Sequence, residues 1–111
     1  MKIRVAEHAR LAPDRMARIG LFTTARAQLD LYCVGPGQGQ AVHTHGDQDK
    51  IYYVLEGDGR FTVGADEERL GPGDAVVAAA GTPHGLQNDG AEPLLVLVVV
   101  TPPPPHAGGR P

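Results

Sequence analysis

Tryptophan is absent from this chain of 111 residues, and phenylalanine and tyrosine together make up only 5% of it. Its single cysteine, Cys33, excludes an internal disulfide. The formal net charge of −3 excludes the basic field that a polyanion partner requires. The longest apolar run, residues 94–100, is far shorter than the ~20 residues that span a bilayer. We therefore expect neither a nucleic-acid partner nor a membrane partner.

Size and composition indicate one cytoplasmic domain. Hydrophobic residues make up 41% of the chain and charged residues 21%, which is enough to build a single core. The N-terminus carries no apolar signal-peptide segment, and nothing in the cysteine usage demands an oxidising compartment. The proline-rich end cannot continue a sheet, because proline has no N–H to donate. We predict one domain over residues 1–101 and a Pro/Gly-rich tail over residues 102–111.

Many short strands joined by turns are predicted, because 15 glycines and 10 prolines recur along most of the chain. Strand patterns occupy residues 17–24, 27–34, 51–56, 60–63, 75–80 and 94–101. The GDG sequence at 57–59 predicts a β-hairpin, and a helical turn is expected only after Pro13. Turns at this density, without a sustained helical period, predict an all-β sandwich or closed barrel.

Two histidines, His43 and His45, stand two residues apart in the segment HTH. In an extended chain, side chains at positions i and i+2 point to the same face, so both imidazoles can turn toward one interior point. Imidazole nitrogens bind transition metals such as Fe, Mn, Ni, Cu and Zn. An isolated H-x-H segment is weak evidence, and the ordinary alternative is a pair of exposed or hydrogen-bonded histidines.

The surroundings of these histidines contain two spaced motifs. The first begins at Gly37, passes through HTH and ends at Gly57; the second begins at Gly73 and continues through GTPH, with His84, to Asn88. Their spacing resembles the motifs of the cupin family, G-x5-H-x-H-x3-4-E-x6-G and G-x5-P-x-G-x2-H-x3-N. The resemblance extends over about residues 35–100. The short spacing between the two motifs is similar to that of small single-domain bacterial cupins. It implies a double-stranded β-helix, or jelly-roll barrel.

The resemblance also implies a divalent transition metal, Fe, Mn, Ni, Zn or Cu, bound by His43, His45 and His84. The family's carboxylate ligand is harder to place. Counting back from the end of the first motif gives Lys50, whereas counting forward from the second histidine with the shorter spacing gives Asp49. An ammonium group has no lone pair to give, so a lysine facing the metal would repel it.

Three arrangements of the site remain open. A local bulge could turn Asp49 or Gln48 inward and complete a set of three histidines and one oxygen. Alternatively, the metal could sit on the three histidines with water in the open positions, which is a geometry that admits substrate. In the third arrangement the site holds no metal, and Lys50 serves there as an anion-binding or proton-transfer group.

These arrangements lead to two functional hypotheses. The first is a metal-dependent enzyme of oxygenase or isomerase type that acts on a small organic molecule, with further catalytic residues unknown. The second is a non-catalytic module that binds a small ligand, without metal if Lys50 occupies the site. The strand at residues 51–56 is apolar on both faces, so one face needs a cover, and we expect a homodimer.

Overall fold

The structure is a computed structural model that describes residues 1–103, so most of the predicted tail, including His106, lies outside the described residues. A 3₁₀ turn, Val5–His8, precedes nine strands. They are β1 (Ala17–Thr23), β2 (Gln28–Val34), β3 (Gly39–His43), β4 (Asp49–Glu56), β5 (Gly59–Val63), β6 (Asp66–Leu70), β7 (Ala75–Ala78), β8 (His84–Gln87) and β9 (Leu94–Thr101). Within residues 1–103, no helix has the length and apolar character needed to cross a membrane.

The strands form two antiparallel sheets. The larger sheet has the order β1-β2-β9-β4-β7, and the smaller has the order β3-β8-β5-β6. Neighbours in each sheet are mostly distant in sequence, because the chain passes repeatedly from one sheet to the other. The predicted all-β fold is confirmed.

The predicted hairpin at residues 57–59 is wrong. The strands on its two sides, β4 and β5, belong to different sheets. Both edges of β4 are already paired, one with β7 and the other with β9. The turn therefore carries the chain from the larger sheet to the smaller one.

The helical turn expected after Pro13 is also wrong, since the 3₁₀ turn lies earlier, at Val5–His8. Two contacts hold the segment before β1 in a non-helical conformation. The side-chain amide of Gln38 donates to the Ala12 carbonyl at 2.7 Å, and Met16 packs against the main core. Both partners lie far away in sequence, which is why the local pattern did not reveal them.

The main core lies between the two sheets. On β9 buried and half-buried residues alternate along the whole strand, as expected when one face of a sheet packs on a core. Its inward residues include Val96 and Val98, and full burial of such a side chain contributes about 1.5–3 kcal/mol. A second apolar cluster, Ile19, Leu31 and Cys33, lies apart from this core with Val5 packed against it.

Gly57, at the passage between the sheets, should not tolerate a side chain. Its φ is +76°, and an added Cβ would collide with the Pro93 carbonyl oxygen. Gly37 is a matched control, because its φ is +82° and its Cβ position has nothing within 4 Å. We expect Gly37→Ala to cost about 1–2 kcal/mol of unfolding free energy and Gly57→Ala roughly 1–3 kcal/mol more. Urea denaturation measures both, and equal losses would contradict the predicted collision.

Candidate metal centre

Two of the three histidines lie on neighbouring strands of the smaller sheet, and the third follows one of these strands. His43 is the last residue of β3 and His84 is the first of β8, and the two are register partners. His45 follows two residues after His43, beyond the end of β3. The Gly81 N–H donates to the His45 carbonyl at 2.8 Å, so the turn before β8 holds the segment after β3. Backbone pairing thus brings both histidine segments to one end of the barrel.

The histidine side chains form a compact group. Ring centroids lie 4.4 Å apart for His43 and His84, 4.8 Å apart for His43 and His45, and 5.7 Å apart for His45 and His84. One ring nitrogen from each residue lies within 4.8 Å of the others. This group could hold a metal ion, and the structure brings together the three histidines that the motifs singled out.

Two of the imidazoles are oriented by backbone carbonyls. His43 Nδ1 lies 2.9 Å from the Ala41 carbonyl oxygen, and His84 Nδ1 lies 2.9 Å from that of Thr82. A carbonyl oxygen can only accept, so each Nδ1 carries the proton and, in the neutral ring, each Nε2 keeps its lone pair. This second hydrogen bond is the usual device that orients a metal-binding histidine.

The Nε2 atom of His84 has no hydrogen-bond partner within residues 1–103, although it is buried. Buried polar atoms are rarely left in this state, and a missing ligand is one of the ordinary explanations. The donor set therefore fits a borderline transition metal, which prefers imidazole nitrogen.

The surroundings favour the neutral, metal-binding form of His45 and His84. Burial is the main cause that lowers the pKa of His84. The hydrogen bond to the Thr82 backbone raises this pKa, whereas the charge of Lys50 and the other two histidines lower it further. Burial also lowers the pKa of His45, assisted by His43 and Lys50 and opposed by Asp47. A metal therefore competes with fewer protons at this site.

The structure does not bring Asp49 into the histidine group. Its carboxylate is exposed and accepts a hydrogen bond of 2.9 Å from the Ala80 N–H. The pairing of β4 with β9 is continuous at this point, with Asp49 opposite Thr101 and Lys50 opposite Val100. Because no bulge interrupts the alternation, Asp49 and Lys50 point to opposite faces. Gln48 is buried, and its side-chain Nε2 has no hydrogen-bond partner within residues 1–103.

Lys50 is the residue that faces the barrel interior. Only 4% of its surface is exposed, and its Nζ lies 5.1 Å from the ring centre of Tyr32 and 5.3 Å from that of Tyr52. The same Nζ donates a long hydrogen bond of 3.4 Å to Gln40 Oε1. That oxygen also accepts from the Tyr52 hydroxyl at 3.1 Å. Lys50, Gln40 and Tyr52 thus form a polar group in the barrel interior beside the histidines.

Sequence reasoning missed Gln40 and Tyr32 as parts of this site. Gln40 lies in the glycine-rich segment 35–40, whose composition is typical of a turn, and the β3–β8 register shifts between Gln40 and His43. Strict strand alternation would assign Gln40 and His43, three residues apart, to opposite faces, and this irregularity breaks that alternation. Tyr32 lies on a strand with residues buried on both faces, so its pattern does not single out one inward face.

The fold and the histidine group define a small β-barrel protein with a candidate metal centre. Residues 30–100 match the sequence profile of the cupin domain family, so more than half of the chain is covered. The chain belongs to the cupin family. This confirms the resemblance and the double-stranded β-helix that it implied.

Solved structures similar to this chain support the assignment. TT1209 from Thermus thermophilus has a TM-score of 0.90 and 47% identity, covering 94% of this chain and 100% of that chain. A conserved protein with a double-stranded β-helix domain from Klebsiella pneumoniae subsp. pneumoniae MGH 78578 has a TM-score of 0.84 and 27% identity, covering 91% and 89%. An RmlC-like cupin from Desulfovibrio desulfuricans has a TM-score of 0.83 and 25% identity, covering 94% and 98%.

A sequence relative is the uncharacterized protein MJ1618 of Methanocaldococcus jannaschii. It is 34% identical over 61 residues, which cover 55% of this chain and 49% of that protein. The match thus spans about half the length of this relative.

The lowered pKa of His84 predicts a loss of metal-free stability in acid. Above the ordinary value of 6.5 the imidazole is neutral in both folded and unfolded states. Below that value the unfolded state takes up the proton first, so unfolding becomes easier as the pH falls. The thermal midpoint, measured with a chelator at about pH 7.5 and about pH 5.5, should fall more for the parent than for His84→Gln. An equal fall of the thermal midpoint in both proteins would contradict the assignment of this acid sensitivity to His84.

Proposed function

We propose that this cupin binds one divalent transition metal through a ring nitrogen of each of His43, His45 and His84. The observation that carries the proposal is the convergence of the three nitrogens within 4.8 Å. The buried, unpartnered Nε2 of His84 supports it, because a metal would satisfy that atom. Fe, Mn, Ni, Zn and Cu all suit an imidazole donor set.

The outward position of Asp49 supports the open arrangement of the site, in which three histidines bind the metal and other positions stay available. A metal held in this way can act as a Lewis acid or activate bound water. The chain's own residues supply the surroundings. Carbonyl hydrogen bonds orient His43 and His84, while the Tyr52 and Phe61 rings exclude bulk water from the buried side of the site.

We propose on this basis a metal-dependent enzyme of oxygenase or isomerase type that acts on a small organic molecule. The second candidate is a non-catalytic module that binds a small ligand, without metal if Lys50 occupies the site. The observation that favours this second candidate is the inward, buried Lys50, which adds positive charge close to the place where the cation would bind. Metal content separates the two.

Elemental analysis of protein purified without a histidine tag tests the metal site. We expect about one metal ion per chain in the parent and little in His45→Ala, because that substitution removes one of three nitrogen ligands. His8→Ala is the matched control, since His8 is exposed on the 3₁₀ turn outside the group. No metal in the parent after incubation with Fe(II), Mn(II), Ni(II) and Zn(II) would refute this proposal and favour the second candidate.

We also propose that the protein is a cytoplasmic homodimer with one barrel domain, residues 1–101. Support for the dimer comes from exposed apolar residues on adjacent strands of the larger sheet. Tyr53 on β4 is 41% exposed and Val77 on β7 is 57% exposed. The register partner of Val77, Ile51, is half-buried. A second copy would remove this apolar surface from water.

Sedimentation at micromolar concentration tests the dimer. The parent should sediment at twice the chain mass of 11.7 kDa. Val77→Glu should shift it to the monomer, because a charge would be buried in the interface. Val42→Glu is the matched control, since Val42 is 54% exposed on β3 of the smaller sheet. A monomeric parent, or dissociation by both variants alike, would contradict the proposed interface.

A further inference from the structure

Lys50 is a buried cation whose interactions within residues 1–103 are weak. None of the ion pairs among residues 1–103 includes it. Its hydrogen bond to Gln40 Oε1 is long, at 3.4 Å, and that acceptor is neutral and shared with Tyr52. The flanking Tyr32 and Tyr52 rings attract the ammonium group weakly compared with a carboxylate. A buried charge normally has a partner of opposite sign, so this position lacks an anion.

The acidic groups around Lys50 do not supply that anion. Asp49 precedes it on the strand but points to the opposite face and accepts from the Ala80 N–H. Asp30 is the single buried acid among residues 1–103 and accepts from the Gln28 amide at 2.8 Å. Within residues 1–103, therefore, no acidic side chain forms an ion pair with Lys50.

The polar group around Lys50 adjoins the histidines. The ring of Tyr52 lies 6.2 Å from that of His84, and the Tyr52 hydroxyl donates to Gln40. Gln40 and His43 lie on the same strand, β3. This arrangement places the Lys50 ammonium group beside the proposed metal ligands.

We propose that Lys50, Gln40 and Tyr52 form the anion-recognition part of the three-histidine site, and that the ligand is a small organic carboxylate. This inference rests on the proposed function, because neutral histidines would leave the charge of a bound divalent cation uncompensated beside the Lys50 ammonium. A carboxylate balances that charge and can accept from the ammonium. The Tyr32 and Tyr52 rings beside Lys50 suit the apolar body of an organic acid better than a fully hydrated phosphate.

Calorimetric titration of the protein as purified tests the class of ligand. The probes are acetate, pyruvate and malonate, each compared with its neutral amide, together with inorganic phosphate. At least one carboxylate should bind ten or more times as tightly as its amide, and phosphate should bind more weakly than that carboxylate. Equal binding of all carboxylates and amides, or a preference for phosphate, would overturn the inference.

Two sets of variants test the residues. Lys50→Met keeps the length of the side chain and removes its charge, so carboxylate affinity should fall at least tenfold while metal content is retained. Gln40→Glu gives Lys50 an internal carboxylate and should also abolish binding. Gln40→Met, of similar size, removes the amide without adding a charge, so it should weaken carboxylate binding less than Gln40→Glu does. The comparison of the two Gln40 variants decides the matter if Lys50→Met does not fold, and equal affinities for both would overturn the inference.

The outcomes for metal and for anion are distinguishable. If the parent and Lys50→Met both hold metal but carboxylates bind no better than amides, the inference fails and the proposed metal site stands. If the parent holds no metal but carboxylate binding depends on Lys50, the metal proposal fails. Lys50 then recognises the anion in the non-catalytic module.

Discussion

The antiparallel pairing of β3 with β8 is the constraint on which the candidate site depends. It places His43 directly opposite His84, with ring centroids 4.4 Å apart, although the two residues are far apart in sequence. The third histidine follows because His45 lies two residues beyond His43, and the Gly81 N–H fixes its backbone. A change that slipped this register by one residue would turn a histidine out of the barrel. The chemistry of the site is thus set by backbone hydrogen bonds.

Strand alternation then determines the charge of the site. The continuous pairing of β4 with β9 turns Lys50 inward and Asp49 outward. Where the family pattern has a carboxylate ligand, this chain has a cation that lies 5.1 Å and 5.3 Å from the centres of two tyrosine rings. Neutral histidines and an ammonium group provide no negative charge to balance a divalent cation. This imbalance is the physical reason to expect an anionic ligand.

The sequence was informative where local periodicity decides the structure. The strands β2, β4 and β9 were predicted from their apolar patterns, and the three histidines from their spacing within the two motifs. It failed where a distant partner decides. The GDG turn has the composition of a hairpin, but its flanking strands pair elsewhere, and β3 begins inside a segment that has the composition of a turn. Asp49 and Lys50 could not be separated by counting, because only the partner strand β9 fixes which of them faces inward.

Anomalous diffraction at the absorption edge of an added metal tests the central claim most directly. A crystal grown with Mn(II) or Zn(II) should show one anomalous peak within the barrel. Nitrogen atoms of His43, His45 and His84 should surround this peak at about 2.0–2.2 Å, a distance typical of imidazole ligands. The absence of a peak there, or a peak only at an exposed residue such as His8, would contradict the account.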